Sequence, residues 1–162
     1  MLCLHGAGHS AMSFCSLSKS MNNTYRIASF DFRGHGKKLN INIFIKIGFN
    51  KNESSADLSQ STLISDTIQV MKFLHEKFPD ETMIVIGHSM GGSIATKATA
   101  EILKNEDIEE TGLYKELTKK ICGLIIIDVV EGSAIDALPF MESIVRGRPK
   151  TFKDQEAAIE YM

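Results

Sequence analysis

The chain of 162 residues has no tryptophan, three prolines and three cysteines. Each shortage excludes something. Three cysteines, at positions 3, 15 and 122, are too few and too odd in number for a disulfide framework, and no spacing among them resembles a zinc site. Cys3 and Cys122 lie in apolar runs and read as small buried hydrophobes. No window reaches the ~18 consecutive apolar residues that a membrane-spanning helix needs. Neither sign of charge prevails: 18 Lys and Arg face 20 Asp and Glu, a net charge of −2. That balance gives no electrostatic case for nucleic acid or an anionic membrane surface. The first residues show no basic stretch leading into an apolar core, so no signal peptide is read and a cytoplasmic or nuclear location is expected. Asn22 and Asn52 open glycosylation sequons, which without a secretion signal read as chance matches. One further lack matters more. His5, His9, His35, His75 and His88 all precede Ser89, and residues 129–162 contain no histidine.

Hydrophobic residues make up 43% and charged residues 23%, which suits one globular domain with a core rather than a disordered chain. Residues 1–4 read as a strand that runs into the glycine-rich loop His5-Gly6-Ala7-Gly8. Residues 10–20 read as a short helix with Ser10 as its N-cap. Residues 26–32 alternate as a second strand and stop at the turn Arg33-Gly34-His35-Gly36. Residues 37–55, rich in asparagine around the β-prone run 41–49, read as an insertion loop. From Ser61, Ile64, Ile68, Met71, Leu74 and Phe78 recur at helical spacing up to Pro79. Residues 83–86 predict a third strand and 91–103 a helix. Residues 105–120 are strongly charged and read as a solvated excursion with one helical turn. The near-continuous apolar run 124–130 predicts a strand buried on both faces of a parallel sheet. Residues 133–162 read as helical around a break at 146–149. Alternating strands and helices give an α/β class with a mainly parallel sheet.

Gly87-His88-Ser89-Met90-Gly91 fits the pattern G-x-S-x-G, placed between an expected strand and an expected helix. In that context the serine sits on a strained turn and its hydroxyl stands clear of the sheet edge. The backbone N–H of Met90 lies at the helix N-terminus, where it can stabilise an oxyanion. The glycine-rich loop with Gly6 and Ala7 is of the type that supplies the second oxyanion donor. Asp128 closes an apolar strand, so it should stand at the carboxyl end of the sheet, where catalytic groups gather and where a carboxylate can orient a histidine. The competing readings are a glycine-rich structural turn at 87–91, a plain loop at 5–8 and a turn-capping role for Asp128. Asp31 precedes the serine and reads as structural, paired locally around Arg33. His5 reads as a loop-orienting residue. His88 is expected to project into the fold, away from the site. A serine hydroxyl without a base is a poor nucleophile, and no histidine follows Asp128.

The segments LHGAGHSAMSF (4–14), DFRGHG (31–36), IGHSMGGSIA (86–95), IDVVEGSAIDAL (127–138) and RGRPKTF (146–152) resemble the protein phosphatase methylesterase family. The elbow and the HG loop alone would indicate only an α/β-hydrolase-like fold, whereas IDVVEG and RGRPKTF are far more specific. The resemblance implies a serine esterase that removes the methyl ester from the C-terminal leucine of the protein phosphatase 2A catalytic subunit. It implies Ser89 as nucleophile, Asp128 as triad acid, and Gly6, Ala7 and Met90 as the oxyanion region. It implies no metal or organic cofactor, the phosphatase catalytic subunit as partner, and neither nucleic acid nor membrane. The family's histidine would lie beyond Met162 and its first strands before Met1. On the resemblance the chain is therefore an incomplete α/β-hydrolase domain over 1–162, with the start of a cap or lid at 133–162 and poor solubility from open sheet edges. The basic cluster Arg146, Arg148, Lys150 and Lys153 reads as a solvated turn or as a hold on the phosphatase tail. Two alternatives remain: a catalytically dead phosphatase-binding fragment, and another α/β-hydrolase esterase or lipase.

Overall fold

The computed structural model describes residues 1–21, 24–35, 57–105 and 112–128, together with scattered positions from 136 to 160. The expected insertion at 37–55, the sequon asparagines Asn22 and Asn52, Arg148 and Lys150 lie outside the described residues. The chain divides into two compact units, Met1–Val129 and Val130–Met162. All candidate site residues belong to the first.

Among the described residues, four strands, β1 (Leu2–Leu4), β2 (Ala28–Ser29), β3 (Met83–His88) and β4 (Ile121–Ile127), form one parallel sheet in the order β2-β1-β3-β4. Parallel neighbours require crossovers, and helices supply them. A 3-10 turn (Ala11–Phe14) leads into α1 (Cys15–Met21), α2 is Gln60–Lys77, α3 is Met90–Lys104 and α4 is Leu113–Lys120. Helix α2 starts where Ser59 accepts the amide of Thr62, a side-chain N-cap. It stops at Phe78 because Pro79 drives the preceding residue out of the helical region.

The core divides by sheet face. On one side Leu2, Leu4, Phe30, Phe32 and Val85 pack with Leu63, Ile68, Val70, Met71 and Leu74 of α2, Ile94, Ala95, Ala98 and Ile102 of α3, and Leu117 of α4. On the other, Cys3, Ile27 and Ile86 meet Phe14, with Leu17 and Met21 against them. Burial pushes the Cys3 thiol up to about 11, so it behaves as an apolar filler.

Several expectations need correction. The second strand shrinks from 26–32 to Ala28–Ser29, because β1 is itself short and offers only two partner residues. The charged stretch carries a full eight-residue helix, α4, since Leu117 is buried among core residues while the lysines stay outside. Strand β4 begins earlier than expected, at Ile121, and is exposed rather than buried on both faces. It stands at the end of the sheet order, and an apolar sequence secures a place in a sheet without supplying the layers that cover it. Cys122 shares that exposure. Asp31 accepts the amide of Ala11 at 2.7 Å, so Ser10 occupies the N-cap position without making a side-chain cap. Arg33 is held by the buried carboxylate of Asp66, through both guanidinium Nε and Nη2. Among the described residues, no helix is long and apolar enough to cross a membrane.

Candidate active site

Strand β3 ends at His88, and α3 begins at Met90. Ser89 alone makes the turn between them, at φ 51 and ψ −120. A non-glycine residue in that region carries about 1–3 kcal/mol of strain unless its surroundings hold it. Here they do. The Ser89 amide donates to the Ile127 carbonyl at 2.9 Å, and the Ser89 carbonyl accepts from the amides of Gly92 at 2.9 Å and Ser93 at 3.3 Å. The flanking glycines are required by space. A Cβ on Gly87 would stand 2.6 Å from the Gly92 nitrogen, and one on Gly91 would stand 2.6 Å from the His5 carbonyl oxygen. The first turn of α3 therefore lies directly against the end of β1.

That close approach brings the glycine-rich loop to the serine. A Cβ on Gly6 would meet the Ser89 Cβ at 3.3 Å and the His88 ring at 2.9 Å. The Gly6 carbonyl accepts the His9 amide at 3.2 Å, closing a tight turn in which Gly8 takes φ 73. Such a positive φ at the third position is what a type II turn needs. Among the described residues, the amides of Ala7 and Met90 have no hydrogen-bond partner. Both are thus free donors beside the serine. The Met90 amide also lies at the positive end of the α3 dipole.

Asp128 directly follows β4 and has φ 55. The bond from Ser89 to Ile127 ties the elbow to the residue preceding this acid. Ser89, Met90, Gly6, Ala7 and Asp128 therefore gather at the carboxyl edge of one sheet, across the ends of β1, β3 and β4. A metal would need a cluster of His, Cys, Asp or Glu, and the described residues offer none.

His88 departs from expectation. Its ring stands at this same edge, with Nε2 3.7 Å from a carboxylate oxygen of Asp128 and the ring 5.5 Å from that of His9. Residues 84, 86 and 88 share a face of β3, and His88 lies level with Ile127 of β4. That pairing sets its ring beside the acid. The available signal was position: His88 is the last residue of β3, at the carboxyl end of the sheet where Ser89 and Asp128 also stand. His5 is buried and holds the loop, as expected.

A family model described as the alpha/beta hydrolase family matches residues 1–160. The chain belongs to the alpha/beta hydrolase family. The nucleophile-elbow geometry and parallel sheet of this hydrolase-family chain agree with that membership. Among curated proteins, the protein phosphatase methylesterase 1 of Mus musculus is 38% identical over 99% of this chain, covering 35% of the mouse protein. The Homo sapiens protein of the same name is 36% identical over 99% of this chain, covering 35% of its own length. That of Debaryomyces hansenii is 33% identical over 99% of this chain and 37% of its own length. The chain spans about a third of the length of these relatives.

Proposed function

We propose that this chain carries the nucleophile, the acid and the oxyanion donors of a protein methylesterase, a serine hydrolase acting on a carboxylic methyl ester. The observation that carries the reading is Ser89 at φ 51, with the free Met90 amide after it and the Gly6-Ala7 loop against it. In the reaction the Ser89 hydroxyl attacks the ester carbonyl. The amides of Ala7 and Met90 receive the developing oxyanion, an interaction worth about 10²–10³ in rate per donor in a comparable site. Methanol leaves, and water then releases the carboxylate from the acyl-serine. Asp128 serves by orienting a histidine and stabilising its cation. Residues 129–162 supply no such histidine, so the proton acceptor has to come from outside them.

The substrate follows from similarity: the relatives are named for demethylating a protein phosphatase, and the sequence resemblance points to the C-terminal leucine methyl ester of the protein phosphatase 2A catalytic subunit. The three cysteines are free thiols, in keeping with a reducing compartment, the cytoplasm or nucleus.

The test is incubation of the chain with carboxymethylated phosphatase, with and without added imidazole as an external base. Loss of the methyl ester that requires Ser89 is expected. Cleavage of aryl esters without loss of the methyl ester would point to another serine hydrolase. Tight association with the phosphatase and no covalent reactivity at Ser89 would point to a binding fragment.

A further inference from the structure

His5 is buried, and both of its ring nitrogens are engaged. Nδ1 lies 2.8 Å from the Gly6 carbonyl oxygen, and Nε2 lies 3.0 Å from the Phe32 amide nitrogen. A carbonyl oxygen only accepts and an amide N–H only donates, so Nδ1 carries the proton and Nε2 is bare. The ring is a neutral imidazole in one fixed tautomer. It packs against Phe32 at 4.9 Å between ring centres.

The consequence falls on the next peptide unit. In a trans peptide the carbonyl and the following N–H point in opposite directions, and the described chain has no cis bonds. The Gly6 carbonyl is drawn back by the His5 Nδ1–H on one side and by the His9 amide, at 3.2 Å, on the other. The Ala7 N–H of the same peptide must then face away from His5. It is the donor that the proposed esterase needs free beside Ser89. Rotating that peptide by half a turn would present a carbonyl oxygen to the oxyanion and repel it.

We infer that His5 is a positioning residue for the hydrolytic reaction: its Nδ1–H latches the Gly6 carbonyl and so aims the Ala7 amide into the oxyanion site. This inference rests on the esterase reading above. The latch works only with the neutral ring, since a second proton would face the Phe32 N–H. The titratable groups facing the ring are His35, 5.2 Å away between ring centres, Asp31 and His9. Burial first, then repulsion from His35 and His9, holds His5 below the ordinary histidine value, against opposing pulls from the Gly6 carbonyl and Asp31.

Two substitutions separate the latch from mere packing. His5→Asn keeps a donor near the Nδ1 position and loses the acceptor for the buried Phe32 amide. His5→Gln keeps an acceptor near the Nε2 position and loses the donor to Gly6. The first variant should be the less stable and the second the less reactive. Fluorophosphonate labelling of Ser89, with imidazole present, should stay within about threefold of wild type in His5→Asn and fall at least about tenfold in His5→Gln, a part of the about 10²–10³ that outright loss of an oxyanion donor costs. Reactivity that simply follows thermal stability would overturn the inference. Nitrogen NMR of the histidine rings in the unsubstituted chain gives an independent reading. Protonated Nδ1 with bare Nε2 on His5 at neutral pH is expected, and the opposite tautomer would refute the latch. If the unsubstituted chain is never labelled, the esterase reading fails, and the NMR result still decides whether the latch exists.

Discussion

Strands β3 and β4 lie side by side in register and read almost alike, yet their surroundings are opposite. Val85 is 0% exposed and its partner Leu124 is 38% exposed; Ile86 is 5% exposed and Ile125 is 47% exposed. One strand has neighbours on both sides and core on both faces. The other ends the sheet among the described residues. The proposed nucleophile is mounted on the first and the proposed acid on the second. The serine thus sits on a strand fixed by core packing, while the acid sits on one whose position depends mainly on its pairing with β3. The Ser89 to Ile127 hydrogen bond joins the two, so the elbow's strained backbone is held by the less protected strand.

The contrast between the two strands is open to test on either strand. The largest effect should come from the buried end of β3. Gly91→Ala forces a methyl group against the Leu4 and His5 carbonyls, which are backbone atoms and cannot swing aside. A loss at or above ~3 kcal/mol is expected, the top of the range for overpacking, read as loss of a cooperative transition in chemical denaturation. Next comes a paired truncation. Ile86→Ala should cost about 2–4 kcal/mol, as for a filled core site, and Ile125→Ala, at the same level of the sheet, under about 1 kcal/mol, as at an exposed position. Equal losses in the two denaturation curves would mean that β4 is as well covered as β3.

A smaller effect concerns pH. The folded state favours neutral His5, whereas the unfolded chain protonates near the ordinary value of about 6.5. Stability should therefore be complete above that pH and decline as pH falls below it, by at most ~1.4 kcal/mol per pH unit for this one proton. Midpoints of urea unfolding between pH 5 and pH 8 check it, and His5→Gln should flatten that slope. The smallest change in folding energy is expected from Ile125→Lys. It places a charge on an exposed apolar edge, where natural sheets use lysine to block edge-to-edge association. Light scattering should show less self-association at nearly unchanged stability.

Much of the site was legible because its geometry is local. Gly87, Ser89 and Gly91 follow one another across a strand-to-helix turn, and the close approach that excludes side chains is encoded in those glycines. The amphipathic stripe of α2 with its Pro79 stop, and the place of Asp128 at a strand end, were legible for the same reason. What could not be read depends on contacts distant in sequence. The apolar run of β4 looked like a buried strand because composition reports affinity for a sheet and not the presence of cover. Arg33 found its partner at Asp66 on α2, and Asp31 was drawn to the Ala11 amide. The sequence sends His88 into the fold only if its place at the carboxyl end of β3, level with the residue before Asp128, is overlooked. The relation between the His5 ring and the Ala7 amide needed the position of the Phe32 backbone, fixed only when β1 and β2 pair.

Ser89 is the proposed nucleophile at the carboxyl edge of the sheet. The most direct test of that role is peptide mapping by mass spectrometry of the folded chain after treatment with a fluorophosphonate, with and without imidazole. One adduct on Ser89 is expected, formed faster with imidazole and absent in Ser89→Ala. A folded chain with no adduct in imidazole, or with the adduct on another serine, would contradict it.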